Sequence, residues 1–282
     1  MNNIASWPAR IGVKPGDVVL LMADLKRMAW TAARASARFH PEVLLAAFVD
    51  AVGPEGTLLI PTYTFHLQNG DAFDVRRTMG TSGALGNAAL GLPAFHRTPH
   101  PLHSFAVAGR DAVRLATSKE LDSFGPGSPF AYLHQNKGVL VTLDQSVNDT
   151  FTHGHFVEQG ERVSYRKQRW LEIQYTDVSG HSELRRYSIF AKSAGHHMDF
   201  SPLDAELTRA GVLERGEVDG SNWIRIDLRA AYPVVAANLE RGGAQGVHQF
   251  RWSWWLRDQV KRAVGLFRKL NKNHVSDAVG KA

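Results

Sequence analysis

Strand-length runs of apolar residues alternate with helical patterns in the first part of the chain. Residues 18–23 (VVLLMA) and 57–62 (TLLIPT) are nearly continuous apolar runs, which are typical of strands buried on both faces. Between them, residues 41–52 have apolar positions at helical spacing, with Pro41 in the first turn and Gly53 after the end. A strand, a helix and a strand in succession predict parallel pairing in an α/β fold.

Later segments extend this pattern to about residue 240. Residues 105–109 and 139–143 predict further strands, and residues 150–159 predict the start of a helix capped by Asp149 or Thr150. Alternating residues over 170–189, with a turn at 177–180, predict a β-hairpin. We therefore predict one α/β domain over residues 1–243, with a central, mostly parallel or mixed sheet flanked by helices.

The C-terminal segment, residues 244–282, differs from the rest in charge and pattern. Residues 247–282 carry eight Lys or Arg against two Asp or Glu, which equals the net charge of +6 of the whole chain. Seven apolar residues recur there at spacings of three or four: Trp252, Trp255, Leu256, Val260, Val264, Phe267 and Leu270. The pattern predicts a basic, Trp-rich amphipathic helix over 248–270 that packs on the body, mediates self-association or lies on a membrane surface.

Composition excludes several classes of chemistry and partner. The chain has no cysteine, which excludes disulfides, thiolate metal sites and an acyl-cysteine intermediate. Residues 1–246 carry equal numbers of acidic and basic side chains, so we expect no nucleic-acid partner. No apolar run approaches the roughly 20 residues of a spanning helix, and residues 1–16 lack an apolar signal region. A cytoplasmic protein is expected, with or without peripheral contact to the inner face of the membrane.

The densest group of polar residues lies at 148–159 (NDTFTHGHFVEQ). On a helix, His155 and Glu158 share a face, where a carboxylate can fix the tautomer of an imidazole and stabilise its protonated form. The alternative is a solvated pair on a helix surface. His153 and His155 also have the spacing of zinc ligands, but no third ligand follows at a familiar spacing, and we expect no metal.

Two further polar segments flank predicted strands. Residues 97–104 (RTPHPLHS) form a Pro-stiffened loop at the mouth of a strand, where ligands are often bound; an arginine that caps a helix end is the alternative. Residues 61–65 (PTYTF) precede a glycine-rich stretch, Gly80 to Gly91, whose backbone N–H groups could contact phosphates. The nucleotide motifs GxGxxG and GxxxxGK[ST] are absent.

Taken in order, these segments resemble the aminoglycoside 3-N-acetyltransferase family over about residues 10–240. The resemblance lies in GDVVLLMADL, GTLLIPTYTF, RTPHPLHS and TFTH…HFVEQ, and the last of these with VSYR is most similar to members associated with polysaccharide genes. It implies an N-acyltransferase that uses acetyl-CoA or another acyl-CoA. The implied acceptor is the amine of an amino sugar in surface polysaccharide or glycoconjugate biosynthesis.

The same resemblance implies the site residues. The histidine of the predicted helix, His155 or His153, is the expected general base, and Glu158 orients it or holds the acceptor ammonium. We favour His155, because it shares a helix face with Glu158. Seven residues are expected to bind the coenzyme: Thr62, Tyr63, Thr64, Gly83, Arg97, His100 and Ser104.

The chain also departs from the family pattern. Residues 22–24 (MAD) replace the usual His-Ser-Ser, and Asn87 replaces a usual Glu. In the family one histidine follows Thr-x-x and precedes x-x-Glu, whereas here His153 keeps the first spacing and His155, two residues later, keeps the second. Three alternatives therefore stay open: an aminoglycoside 3-N-acetyltransferase that confers antibiotic resistance, a His-ligated zinc hydrolase and a non-catalytic binding module on the same fold. An acceptor cleft lined by acidic residues would favour the first, because aminoglycosides are polycations.

Overall fold

The computed structural model describes residues 4–34, 36–242 and 246–260. Its strands are β1 Val18–Ala23, β2 Thr57–Pro61, β3 Ala72–Asp74, β4 His96–Arg97, β5 Phe105–Gly109, β6 Val139–Leu143, β7 Arg166–Thr176, β8 Ser182–Lys192, β9 His196–Met198, β10 Leu213–Val218, β11 Ser221–Asp227 and β12 His248–Phe250. Its helices are α1 Trp7–Arg10, α2 Lys26–Arg34, α3 Pro41–Val52, α4 Ala84–Leu90, α5 Ala112–Ala116, α6 Pro129–Gln135, α7 Val147–Thr150, α8 Gly154–Gly160, α9 Ser201–Arg209 and α10 Leu228–Arg241. Residues 252–260 are also helical.

A seven-stranded mixed sheet in the order β10-β11-β6-β1-β2-β5-β4 forms the centre of the molecule. Strands β6, β1 and β2 are parallel, whereas β5 pairs antiparallel with β2 and β11 pairs antiparallel with β6. The predicted strand–helix–strand unit is therefore present, with α3 connecting β1 to β2. The predicted α/β class, a mixed central sheet flanked by helices, is confirmed.

Burial on both faces of the sheet explains the continuous apolar runs. In β1, Leu20 packs into a core with α6, α9 and α10, and the next residue, Leu21, packs into a core with α1, α3 and α4. Successive side chains of a strand point to opposite faces, so each face of this sheet has its own hydrophobic layer. Both leucines are fully buried.

Two smaller sheets lie beside the central one. The predicted hairpin is present as β7 and β8, which pair over eleven residues each, and β3 pairs parallel with β7. The second small sheet joins β9 to β12 in antiparallel pairing, with His248 opposite Met198 and Phe250 opposite His196. Through this pairing the segment after residue 246 contacts the body of the protein.

Two sequence predictions of helices are wrong in detail. Residues 150–159 do not form one helix from a cap at Asp149 or Thr150: α7 ends at Thr150, and α8 begins at Gly154. Ser146 caps α7 in a reciprocal capping box with Asp149, which makes Asp149 an internal residue of the first turn.

The predicted C-terminal helix over 248–270 does not begin at residue 248, because residues 248–250 form β12. The helix over 252–260 exposes Trp252, Leu256 and Val260, which are 70%, 59% and 62% exposed. The remainder of the predicted apolar stripe, from Val264 onwards, lies outside the described residues. None of the helices in the described ranges has the length and apolar character needed to cross a bilayer.

Candidate active site

The loops that follow β1, β2 and β6 lie at one edge of the sheet, because parallel strands place their carboxyl ends together. Ligands of open α/β sheets bind at this edge. The loop after β2 carries Tyr63 and Phe65, and the chain after β6 leads through α7 to α8. The predicted site residues therefore come from two parts of the chain, the loop after β2 and helix α8 after β6.

Helix α8 brings His155 and Glu158 into contact, as their spacing predicts. His155 Nδ1 lies 2.6 Å from Glu158 Oε2. Gly154 permits this position of the helix, because a Cβ on it would lie 2.8 Å from the ring of Phe200. The ring of His155 lies between Phe200 and Phe124, with centroid distances of 5.3 and 6.2 Å.

Glu158 is fully buried and has three partners. Besides His155, its Oε2 lies 2.6 Å from Arg166 Nε, and its Oε1 accepts a hydrogen bond of 2.8 Å from the hydroxyl of Tyr165. Burial alone would raise the pKa of Glu158, but the hydrogen bonds and the charges of His155 and Arg166 outweigh it and lower the pKa. The carboxylate is therefore ionised and can only accept hydrogen bonds.

His155 has the properties of a base. Burial lowers its pKa and Glu158 partly offsets this effect, so the imidazole is neutral at neutral pH. Because ionised Glu158 accepts the proton on Nδ1, the lone pair of the neutral ring is on Nε2. The guanidinium of Arg166 also lies against the ring, with Nη2 2.9 Å from Nδ1, and its charge disfavours the imidazolium. The side chain of His155 is 22% exposed.

His153 lies in a different environment. Its ring is 1% exposed and packs against Phe130, Phe151, Phe156 and His134. In the part of the chain that the structure describes, neither ring nitrogen has a hydrogen-bond partner. Burial lowers its pKa to about 3. The structure thus separates the two candidate bases: His155 contacts a carboxylate, and His153 is enclosed by aromatic rings.

Three of the predicted coenzyme-binding residues form an internal network. Arg97 is 6% exposed, donates from Nε to Ser104 Oγ at 3.1 Å and from Nη2 to the carbonyl of Thr62 at 2.9 Å, and donates from Nη1 to the carbonyl of Thr78. Its guanidinium lies 4.6 Å from the ring centroid of Phe73. These contacts connect β4, the end of β2 and the loop before α4, and they use donors that a phosphate would need.

The other predicted coenzyme residues lie around this network. His100 is buried, with Nε2 3.1 Å from the hydroxyl of Ser123, and burial lowers its pKa to about 4. Thr64 is also buried and donates to the carbonyl of Pro101. Gly83, in contrast, is at the open N-terminus of α4, where a Cβ would meet no atom of the described residues within 4 Å beyond its own chain neighbours. The coenzyme role of these residues stays a prediction.

Aromatic rings connect the loop after β2 to His155. Phe65 is 57% exposed and lies 5.5 Å from the ring of His103, which in turn lies 5.1 Å from Phe124. Phe124 contacts His155. Buried Tyr63 lies beneath this row, with its ring 5.2 Å from Phe65. A row of contacting rings therefore runs from exposed Phe65 through buried His103 and Phe124 to His155.

Two cavities lie near these elements. One of about 960 Å³ is lined by Tyr165, Tyr232, Glu161, Glu240 and His248, among others. Another of about 790 Å³ lies at the carboxyl ends of β1 and β6; its lining holds three basic side chains (Lys26, Arg27, Arg215) and three acidic ones (Asp24, Asp144, Glu217). Because the charges of the second cavity balance, they favour neither an anion nor a cation.

Sequence reasoning did not assign Tyr165 and Arg166 to the site. Both follow α8 within eight residues of Glu158, and their hydroxyl and guanidinium groups are the types that bind a buried carboxylate. Nothing in the spacing showed that the chain turns back there. Among the described residues no group of three or more His, Asp or Glu is arranged to hold a metal ion, which leaves the zinc alternative without a ligand set.

Comparisons with known proteins identify the family of this chain. The model of a family described as aminoglycoside 3-N-acetyltransferase matches residues 20–240. Aminoglycoside N(3)-acetyltransferase III of Pseudomonas aeruginosa is 28% identical over an alignment of 175 residues, which covers 55% of this chain and 62% of that protein. Aminoglycoside N(3)-acetyltransferase IX of Micromonospora chalcea is 28% identical over 270 residues, which cover 83% of this chain and 92% of the relative.

A solved structure described as AAC-IIIb in a binary complex with CoASH has the same fold. It superposes with a TM-score of 0.71 at 22% sequence identity, over 86% of this chain and 96% of that chain. The alignment with the Pseudomonas relative spans less than two thirds of that protein, whereas this fold extends over nearly all of the solved chain. The family resemblance predicted from the sequence is confirmed.

Proposed function

Because the chain belongs to the aminoglycoside 3-N-acetyltransferase family, we propose that it transfers an acetyl group from acetyl-CoA to an amine of an aminoglycoside. The observation that carries the proposal is the contact between His155 and buried, ionised Glu158 within the matched residues. The relatives are named for aminoglycosides, so they support this acceptor, the alternative in the sequence analysis, over an amino sugar of polysaccharide biosynthesis.

In the proposed reaction His155 is the general base. An acceptor amine attacks the thioester carbonyl, the new C–N bond forms, and Nε2 of His155 takes a proton from the nitrogen. The C–S bond then breaks, and the departing sulfur leaves as the thiol with that proton. Glu158 stabilises the transient imidazolium through Nδ1, and base catalysis of this kind contributes about 10²–10⁴-fold to the rate. The chain has no cysteine, which excludes an acyl-cysteine intermediate, and direct transfer to the amine is the simplest route that remains.

The cavity of about 960 Å³ is the proposed acceptor site. Its lining includes Glu161 and Glu240 against one basic residue, Arg162, which favours a cationic ligand. Tyr165 lines the same cavity and contacts Glu158, so an amine bound there is close to the His155 pair. This excess of acidic side chains favours a polycationic aminoglycoside over an amino sugar with a single ammonium group.

For the coenzyme, we propose that the pantetheine arm approaches His155 from the side of exposed Phe65, whose ring is connected to His155 through the buried rings of His103 and Phe124. The open N-terminus of α4 at Gly83 stays within this proposed site, whereas Tyr63 is buried and supports the ring of Phe65 from below. The other five predicted residues stabilise the loops of this site and do not contact the coenzyme, because their polar atoms contact other parts of the protein: Thr62, Thr64, Arg97, His100 and Ser104. In this proposal the coenzyme binds to the loop after β2, which these residues hold in place.

Release of free thiol from acetyl-CoA tests the proposal. The purified protein is assayed with a panel of aminoglycosides, free amino sugars and nucleotide-linked amino sugars. We expect the highest kcat/KM with an aminoglycoside. A higher kcat/KM with an amino sugar would overturn the proposed acceptor, and no turnover with any amine would overturn the activity itself.

The base is tested with a pair of histidine variants. His155→Ala is expected to lower kcat at least about a hundredfold, since it removes the group that takes the proton. His153→Phe, the matched control two residues away, is expected to keep kcat within about threefold, because it changes a ring outside the reacting groups. The opposite result would transfer the role of base to His153.

A further inference from the structure

Tyr165 contacts the oxygen of Glu158 that faces away from His155. Oε2 of Glu158 contacts His155 and Arg166, and Oε1 accepts the hydroxyl proton of Tyr165 at 2.8 Å. Rotation of the carboxylate would break one of these contacts. The phenol is therefore placed to hold the plane of the carboxylate in the position at which it contacts the imidazole.

The ring of Tyr165 is itself held by a residue from the C-terminal segment. His248 stacks on it with a centroid distance of 3.7 Å and an interplanar angle of 2°. His196 of β9 contacts His248 through Nδ1 and Nε2, and its ring lies 5.8 Å from that of Tyr165. β12, which contains His248, pairs with β9 and lies after residue 240, where the family match ends.

We propose that Tyr165 is a positioning residue for Glu158 and that His248 holds Tyr165, so that β12 of the C-terminal segment completes the active site. The inference rests on the proposed function and deepens it. It assigns a role to residues beyond the part of the chain matched by the family model. A structural role alone would require only that β12 pairs with β9, without an effect on the histidine.

Several charged groups surround the two residues, and the test must allow for them. His155 interacts with the charged groups of Glu158 in α8, Arg166 in β7 and Lys192 in β8, and also with the ring of His103. Facing Tyr165 are Glu158, Arg166, His196 and His248. A change at Tyr165 or His248 reaches His155 through Glu158, and the other groups stay the same in each variant.

The first variant, Tyr165→Phe, keeps the stacked ring and removes only the hydroxyl group. Without this donor Glu158 attracts the proton of the imidazole more strongly, so the pKa of His155 rises. We expect kcat to fall about tenfold with KM within about threefold. We also expect the acidic limb of the pH–rate profile, where the rate rises as His155 loses its proton, to move to higher pH. Titration of the histidine side chains by NMR measures the same pKa without any substrate.

The second set of variants tests the C-terminal segment. His248→Ala removes the stacking partner, and we expect the same direction of change in kcat and in the titration of His155. His248→Phe restores a flat ring and is expected to recover most of the activity. Gln249→Ala is the matched control, because the next side chain of a strand points to the opposite face.

The outcomes separate the inference from the proposed function. If Tyr165→Phe and His248→Ala leave kcat and the titration of His155 unchanged while His155→Ala is inactive, the positioning role is refuted and the base stands. If the wild-type protein acetylates no amine, the proposed function fails, and the NMR titration still decides the coupling. Equal losses in His248→Ala and His248→Phe would also refute the stacking role, and thermal unfolding identifies a variant that fails to fold.

Discussion

The burial of His153 leads to a prediction about acid stability. Its imidazole has no hydrogen-bond partner among the described residues and is enclosed by aromatic side chains. His153→Phe keeps a flat ring in the same place and removes both polar nitrogens. The perturbation therefore isolates the effect of burying an ionisable ring.

The magnitude follows from linkage between protonation and folding. The pKa of His153 is about 3 in the folded protein, against 6.5 for an ordinary histidine. Below pH 6.5 the unfolded chain binds a proton that the folded chain does not bind, so stability falls as the pH falls. Between pH 7 and pH 5 this single group removes about 2 kcal/mol of stability from the wild-type protein.

At pH 7 the variant is expected to be at least as stable as the wild type. Each unsatisfied buried polar atom costs about 1–3 kcal/mol, and the slightly larger phenyl ring costs less than about 1.5 kcal/mol in strain. The difference between the two proteins then grows in favour of the variant as the pH falls.

Urea unfolding at pH 7 and pH 5 measures the effect. The free energy of unfolding is compared for the wild type, His153→Phe and His66→Ala, a change at an exposed histidine. We expect His153→Phe to lose about 2 kcal/mol less than the wild type between the two pH values, and His66→Ala to behave as the wild type. Equal losses in the wild type and His153→Phe would refute the reasoning.

Two further predictions concern the loops behind the site. Gly86→Ala places a Cβ 2.2 Å from the carbonyl oxygen of Pro61, so we expect the free energy of unfolding in urea to fall by about 1–3 kcal/mol. Gly91→Ala, whose Cβ lies 3.4 Å from its nearest atom, is the control, and equal effects of the two changes would contradict the argument. Arg97→Lys loses the planar fork that donates to three groups, and we expect it to cost about 2–4 kcal/mol of stability and to raise the KM for acetyl-CoA. A fully stable Arg97→Lys protein with a raised KM would instead indicate direct contact with the coenzyme.

The central part of the fold could be predicted from local patterns. Strands β1, β2 and β6 are continuous apolar runs because each is covered on both faces, and that burial leaves a plain signal in the sequence. The contact between His155 and Glu158 was predictable for a similar reason. It depends on helical spacing alone, and α8 is helical over both residues.

The features that the sequence did not predict depend on contacts between residues far apart in the chain. The break between α7 and α8 is accompanied by burial of Phe151 and by close packing of Gly154 on Phe200, which no local pattern shows. Residues 248–250 were predicted as the start of the C-terminal helix, yet they pair with β9 about fifty residues earlier. The donors of Arg97 suit a phosphate and a carbonyl equally well, and only its burial shows which of them it contacts.

Arg97 also affects how such proteins are recognised. The segment RTPHPLHS contributes to the resemblance to the family, yet its arginine donates its hydrogen bonds to two carbonyl groups and a serine of the same chain. These contacts hold together three segments of the fold whether or not the protein transfers an acetyl group. An arginine at this position is therefore evidence of the fold, and the proposed activity has to be tested at His155 and Glu158.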